Sequence, residues 1–351
     1  MNKLSEKGSF ISKSEAVMLQ AVAVMLMVWH HLFAFPERVT VPHVLILDRF
    51  WLIETIMAYF GRICIAVFAF SSGYGMRKKI VNARKNTGLI RNYQTVLMQL
   101  LKFFSRYWMV FFVFVPLGLL LKVYPMKPVA LLKGVLGKGC GYNEEWWYVD
   151  TYVRFLLLFP LMNLLADQIV KRVPVLLHIL MAAAVAVLPF LPDSVPQYGF
   201  LCILICFAEG MYFVDSGLFE WLYRPFAKNN WLRLVTGIGL FGLVFALRLI
   251  AVPDYVLVAG LIFSVMLICK TEFLIRWLRP VLMFVGKYST YIWLTHTFFA
   301  YYLFQKITYA PYYSWLIFLW CMALSIGSGM VLEALLTLIT KGFHQLFVRK
   351  K

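Results

Sequence analysis

One run, Ala16–Phe35, AVMLQAVAVMLMVWHHLFAF, constrains this chain more than any other stretch. About 20 apolar residues in a helix, rising roughly 1.5 Å each, cover the ~30 Å hydrocarbon core of a bilayer. The run also carries two adjacent histidines, His30 and His31, towards its far end. Titratable rings at membrane depth are expensive, and they mark places where something uses them. The run is not read as a cleaved signal peptide. It has the length of a full span, and the Phe35-Pro36-Glu37-Arg38 that closes it lacks a small-residue cleavage pattern.

The rest of the chain repeats this character. Of its 351 residues 62% are hydrophobic and 14% charged, against about 45–50% and about 25% in a soluble domain. No long polar segment could form a separate soluble domain, so residues 1–351 are expected to make one membrane domain. The fold class expected is an all-α polytopic integral membrane protein. The net charge is +18, from 34 Lys and Arg against 16 Asp and Glu. In a soluble protein that balance would point to nucleic acid; here it fits basic loops held beside anionic lipid. There is no compact basic domain and no zinc-finger spacing, so nucleic acid is not an expected partner. Cys64, Cys202, Cys206, Cys269 and Cys321 fall in apolar runs and Cys140 in a loop. This is neither a disulfide framework nor a metal-ligand set, and no metal is expected.

Basic residues give the orientation. Lys3, Lys7 and Lys13 precede the first span, and the stretch 77–106 holds eight Lys and Arg and no acid. That stretch reads as a cytoplasmic loop, which puts the N-terminus inside and the two histidines in the outer third of the bilayer. Ser14 reads as the cap of the first helix. Further spans are expected at about 57–76, 107–124, 146–166, 174–190, 198–215, 233–250, 255–270, 281–303 and 314–340. That makes about ten, with both termini cytoplasmic. Residues 36–55 read as an outer segment with an interfacial helix at its middle. Ser71-Ser72-Gly73-Tyr74-Gly75 is a run that lets helix backbones approach closely. No strand precedes the glycine-rich GKGCGYNEE at 137–145 and it has no Walker pattern, so it reads as a flexible re-entrant or surface turn rather than a phosphate-cradling loop.

Several polar side chains then ask for a role. A neutral imidazole at His30 or His31 suits a general base that takes a proton from a hydroxyl; a pair of hydrogen-bonded interfacial rings is the plainer alternative. Arg62 and Glu54 belong to the same outer level, where Arg62 either steadies a developing oxyanion or pairs with Glu54. Asp150 and Arg154 are spaced as an i,i+4 ion pair, or line a wet cavity. His296, in YSTYIWLTHTFF, needs a polar partner, structural or catalytic. Lys102 and Arg106 stand at the inner mouth of the third span, where cations either flank the membrane or bind phosphates.

Three blocks together resemble the membrane-bound acyltransferase 3 family. LQAVAVMLMVWHHLF is similar to its first-span motif, a basic residue followed about ten residues later by His; Gln20 holds the basic position and His31 the histidine. GRICIAVFAFSSGYGM resembles its glycine-rich second span. YSTYIWLTHTFF resembles a late segment, matching at Ser289, Tyr291 and His296. The stretch from Trp147 to Pro160 follows a fourth block, with Tyr152 where Glu is usual and Asp150 as the nearest acid.

The resemblance implies an O-acyltransferase of the plasma membrane. It would move an acyl group, commonly acetyl, from cytosolic acyl-CoA to a hydroxyl of a cell-surface or exported glycan. It maps the essential histidine to His31, acting as base or as acyl carrier. It links Lys102 and Arg106 to the CoA side, with Phe103 where Arg is common. Expected partners are therefore acyl-CoA (acetyl-CoA foremost), a glycan or other hydroxyl acceptor and membrane lipid, with room for a homo-oligomer. The competing classes are a transporter or flippase for a glycan or small polar solute, lined by the same buried charges, and a non-catalytic scaffold. The absence of an internal repeat weighs against a transporter built on inverted repeats.

Overall fold

The computed structural model describes residues 10–43, 52–82, 88–139, 141–187 and 199–348. The expected interfacial helix near the middle of 36–55, and Cys140, lie partly or wholly outside them. The described residues are helical almost throughout: α1 (Lys13–Phe33), α2 (Leu52–Gly61), α3 (Cys64–Asn82), α4 (Leu89–Leu120), α5 (Pro128–Val135), α6 (Trp147–Arg172), α7 (Pro174–Val187), α8 (Phe200–Ser216), α9 (Leu218–Tyr223), α10 (Asn230–Leu249), α11 (Asp254–Cys269), α12 (Glu272–Lys287), α13 (Ser289–Thr297), α14 (Gln305–Tyr309) and α15 (Ser314–Val348).

Among the described residues, six stretches are long and apolar enough to cross a membrane, or up to eight if each of two bent pairs counts as one span. These are α8 with α9 and the turn after it, bent by 68°, and α11 with α12, bent by 106°. Hydropathy reads about ten spans, against six to eight among the described residues. The expected span 174–190 runs past the described residues, with α7 described as far as Val187. The expected span 281–303 is broken: α12 ends at Lys287, α13 begins at Ser289, and the chain turns π-helical over Phe298–Tyr302. Hydropathy sums length and does not see such breaks. The stretch 77–106 is not simply a loop either, since α3 continues to Asn82 and α4 begins at Leu89. The first helix is capped by Ser12 rather than Ser14. Ser12 Oγ accepts from the Glu15 amide at 3.3 Å while Glu15 Oε2 accepts from the Ser12 amide at 2.8 Å, a reciprocal capping box.

The chain forms two compact units. The first comprises Met1–Leu26, Arg62–Tyr93 and Leu157–Lys287. Its centre is the crossing of α3 and α8. A Cβ on Gly73 would overlap the Phe207 carbonyl oxygen, and one on Gly210 the Phe70 carbonyl oxygen. Only glycine at these two positions lets the backbones touch, which is the main source of helix association in lipid. Below the crossing, buried Arg77 donates to both carboxylate oxygens of Asp215 at 2.9 Å and to Asn163 Oδ1 at 2.6 Å, and pairs with Asp167 at 2.7 Å. The second unit comprises Met27–Gly61, Gln94–Leu156 and Tyr288–Lys351. Aromatic rings on α4 form its core. Phe103 stacks on Trp293, Tyr107 meets Trp146 edge-on, and Phe114 stacks on Phe298.

Candidate active site

The second unit holds the end of α1, and with it both histidines. Consecutive helix residues point about 100° apart, so His30 and His31 face different neighbours. His30 is buried, with Nδ1 2.7 Å from the Ala58 carbonyl of α2. His31 is only partly buried and turns to α13, where its Nδ1 lies 3.0 Å from Nε2 of His296.

Hydrogen-bond partners assign the protons. His296, fully buried, places Nδ1 at 2.9 Å from the carbonyls of both Ile292 and Trp293. Carbonyls only accept, so this nitrogen carries the hydrogen and Nε2 of the neutral ring carries a lone pair. His31 Nδ1, 3.1 Å from the Met27 carbonyl, donates to that carbonyl and to His296 Nε2. In neutral His31 the proton is then on Nδ1, and Nε2 is the basic nitrogen. One imidazole is thus oriented by a second through a hydrogen bond between the rings.

The end of α1 is held from several sides. The Tyr301 hydroxyl donates to the His31 carbonyl, and the Tyr309 hydroxyl to the Leu32 carbonyl at 2.9 Å. Both satisfy helix-terminal carbonyls that have no partner within the helix. Tyr301 and Tyr302 close the π-helical turn that follows α13, a geometry common at functional sites. Arg38, just past α1, lies over the Tyr301 ring at 3.9 Å and donates to Glu145 at 2.6 Å. Tyr302 donates to the other oxygen of Glu145 at 2.8 Å. Burial works against the Arg38 charge, but the Glu145 carboxylate more than offsets it and raises the guanidinium above its ordinary value. Sequence reasoning did not single out Arg38, Glu145, Tyr301 or Tyr302. They meet only through the fold, and the one local signal was a tyrosine pair five and six residues after His296.

The other sequence candidates fall as follows. Glu54, buried on α2, accepts from the Ser314 hydroxyl through Oε1, and its backbone carbonyl accepts from Trp29 at 3.4 Å. Arg62 sits in the turn between α2 and α3 and belongs to the first unit. Asp150 and Arg154 form the i,i+4 ion pair, with Arg154 59% exposed. Arg106 is clasped by Glu333, Nε to Oε2 at 3.2 Å and a terminal nitrogen to Oε1 at 3.0 Å, and Tyr291 also donates to Glu333 at 2.8 Å. Lys102, one turn earlier on α4, is exposed. Tyr291 and His296 share α13, about 7.5 Å apart along the axis, so one helix joins the Arg106 cluster to the histidine pair.

A family model described as an acyltransferase domain, acyltransferase 3, matches residues 18–334. The chain belongs to this acyltransferase family. Its match takes in both histidines and every element that holds them. Comparison with curated proteins and with solved structures returned no match. Family and architecture together make the protein a membrane acyltransferase.

Proposed function

We infer that this acyltransferase moves an acyl group, acetyl by its resemblance, from cytosolic acyl-CoA to a hydroxyl of a cell-surface or exported glycan. The inferred setting is the plasma membrane, with both termini cytoplasmic. The observation that carries the reading is the 3.0 Å contact between His31 and His296, which leaves Nε2 of His31 as a base. His31 Nε2 takes the hydroxyl proton as the oxygen attacks the thioester carbonyl carbon. The tetrahedral intermediate then collapses, the C–S bond breaks, and the CoA sulfur leaves with the proton that His31 had taken. The products are an ester and free CoA thiol. His296 keeps the basic lone pair of His31 on Nε2 and accepts from Nδ1–H while His31 is charged.

On the donor side, Lys102 is the stronger candidate for CoA phosphate. Its ammonium is exposed, whereas the Arg106 charge is already matched by Glu333.

The test is label transfer from labelled acetyl-CoA to a glycan by the purified protein in detergent. Transfer without a sealed compartment is the expected result, and a pure transporter or a scaffold gives none. Mass analysis of surface glycans from cells with and without the protein then identifies the acceptor.

A further inference from the structure

Between α4 and α6 lies a segment that the acyl-transfer reading does not use. Residues 121–146 contain Lys122, Lys127, Lys133 and Lys138 against two acids, Glu144 and Glu145, at the far end. In the orientation set by the basic stretch 77–106 this segment is extracytoplasmic. Topology favours Lys and Arg on the opposite side of the membrane, so four lysines here bring no orientational benefit and call for another cause. The nearest buried acid, Glu145, is matched by Arg38 and does not neutralise them.

The segment is built around a cavity of about 390 Å³. It is lined by Lys127, Val129, Ala130, Lys133, Gly139 and Gly141, with both lysines exposed. Two of its walls need glycine. Gly139 has φ +96°, and a Cβ on Gly141 would stand 3.0 Å from the Cβ of Ala130, narrowing the cavity. Packed tyrosines run from the wall of the cavity to the histidines within the same unit. The Lys127 amide donates to the Tyr142 hydroxyl at 3.3 Å, Tyr142 packs edge-on against Tyr124 at 5.3 Å, and Tyr124 lies 6.3 Å from Tyr302. Tyr302 adjoins Tyr301, whose hydroxyl holds the His31 carbonyl. A row of tyrosine rings thus leads from the lysines to the basic histidine.

We propose that this lysine-lined cavity binds an anionic group, carboxylate or phosphate, of the acceptor glycan, so that the acceptor is an acidic polysaccharide. The proposal rests on the acyl-transfer reading only for the word acceptor; binding itself is measured without turnover.

The probes are a glucuronate-containing oligosaccharide and its neutral, carboxyl-reduced counterpart, titrated against the full-length chain in neutral detergent. The acidic form is expected to bind about tenfold tighter at low ionic strength, and the preference to fade with added salt. Lys127→Gln with Lys133→Gln is expected to remove that preference, and Lys127→Arg with Lys133→Arg to keep it. Both side chains are exposed, so neither pair of substitutions threatens the fold. His31→Ala should bind the acidic probe as the unaltered chain does, so loss of transfer and loss of binding are told apart. Equal binding of the two probes overturns the proposal, and so does an acidic preference that survives the glutamine pair. Displacement of the oligosaccharide by anionic lipid in nanodiscs would make this a headgroup site and would equally overturn it.

Discussion

Replacing His296 by Phe removes the acceptor of His31 Nδ1–H, and with it the Nδ1–H that His296 gives to the Ile292 and Trp293 carbonyls. The ring is fully buried, and phenylalanine fills similar space without the Nε2 lone pair. His31 Nδ1–H then keeps only the Met27 carbonyl at 3.1 Å. In the resting site His31 loses one neutral hydrogen bond, about 0.5–1.5 kcal/mol. Once His31 carries the hydroxyl proton the same bond is charge-assisted, about 1.5–3 kcal/mol. Only the difference, about 1–2 kcal/mol, raises the barrier, so kcat is expected to fall about 5- to 30-fold. The KM for acyl-CoA should barely move, because His296 is not placed on the phosphate side. Release of CoA thiol by the purified variant, with its thermal midpoint measured alongside, reads both effects. His296→Gln, whose side-chain oxygen can accept, should recover part of the loss. A folded His296→Phe protein with unaltered kcat would refute the orienting role. A fall beyond about 10⁴-fold would refute it too, by placing His296 in bond making rather than behind it.

Two further outcomes follow from the same geometry. Lys102→Ala should raise the KM for acyl-CoA several-fold while leaving the KM for the acceptor in place, read from initial rates with each substrate varied in turn; an effect confined to the acceptor would contradict the donor assignment. Gly210→Val should force α3 and α8 apart at the Phe70 carbonyl, costing about 1–3 kcal/mol as overpacking does, and should lower the thermal midpoint in detergent.

Much of the fold was legible in the sequence because it is local. Apolar length marks α1, and the small residues Ser71 to Gly75 mark the α3 side of a close helix crossing, whose other side, Gly210 on α8, was not read. The ion pair of Asp150 and Arg154 is written in i,i+4 spacing. The breaks were not legible, since the interruption at Tyr288 and the π-turn after His296 leave hydropathy unchanged. The site was half legible. A histidine near the end of a first span is visible in one window, but its partner lies 265 residues away. Arg106 and Glu333 are 227 apart, and Arg38 and Glu145 are 107 apart. No periodicity or motif joins such residues; only packing of α1, α4, α13 and α15 within one unit does. The choice between His30 and His31 has the same origin. Sequence places them side by side, and the fold points one at the Ala58 carbonyl and the other at His296.

The most direct test compares His31→Ala with His30→Ala in the label-transfer assay, using acetyl-CoA, glycan and protein of matched abundance. The account predicts that His31→Ala transfers no label, while His30→Ala, which loses an anchor to α2 and not the base, still does. Transfer by His31→Ala at the rate of the unaltered protein would contradict it.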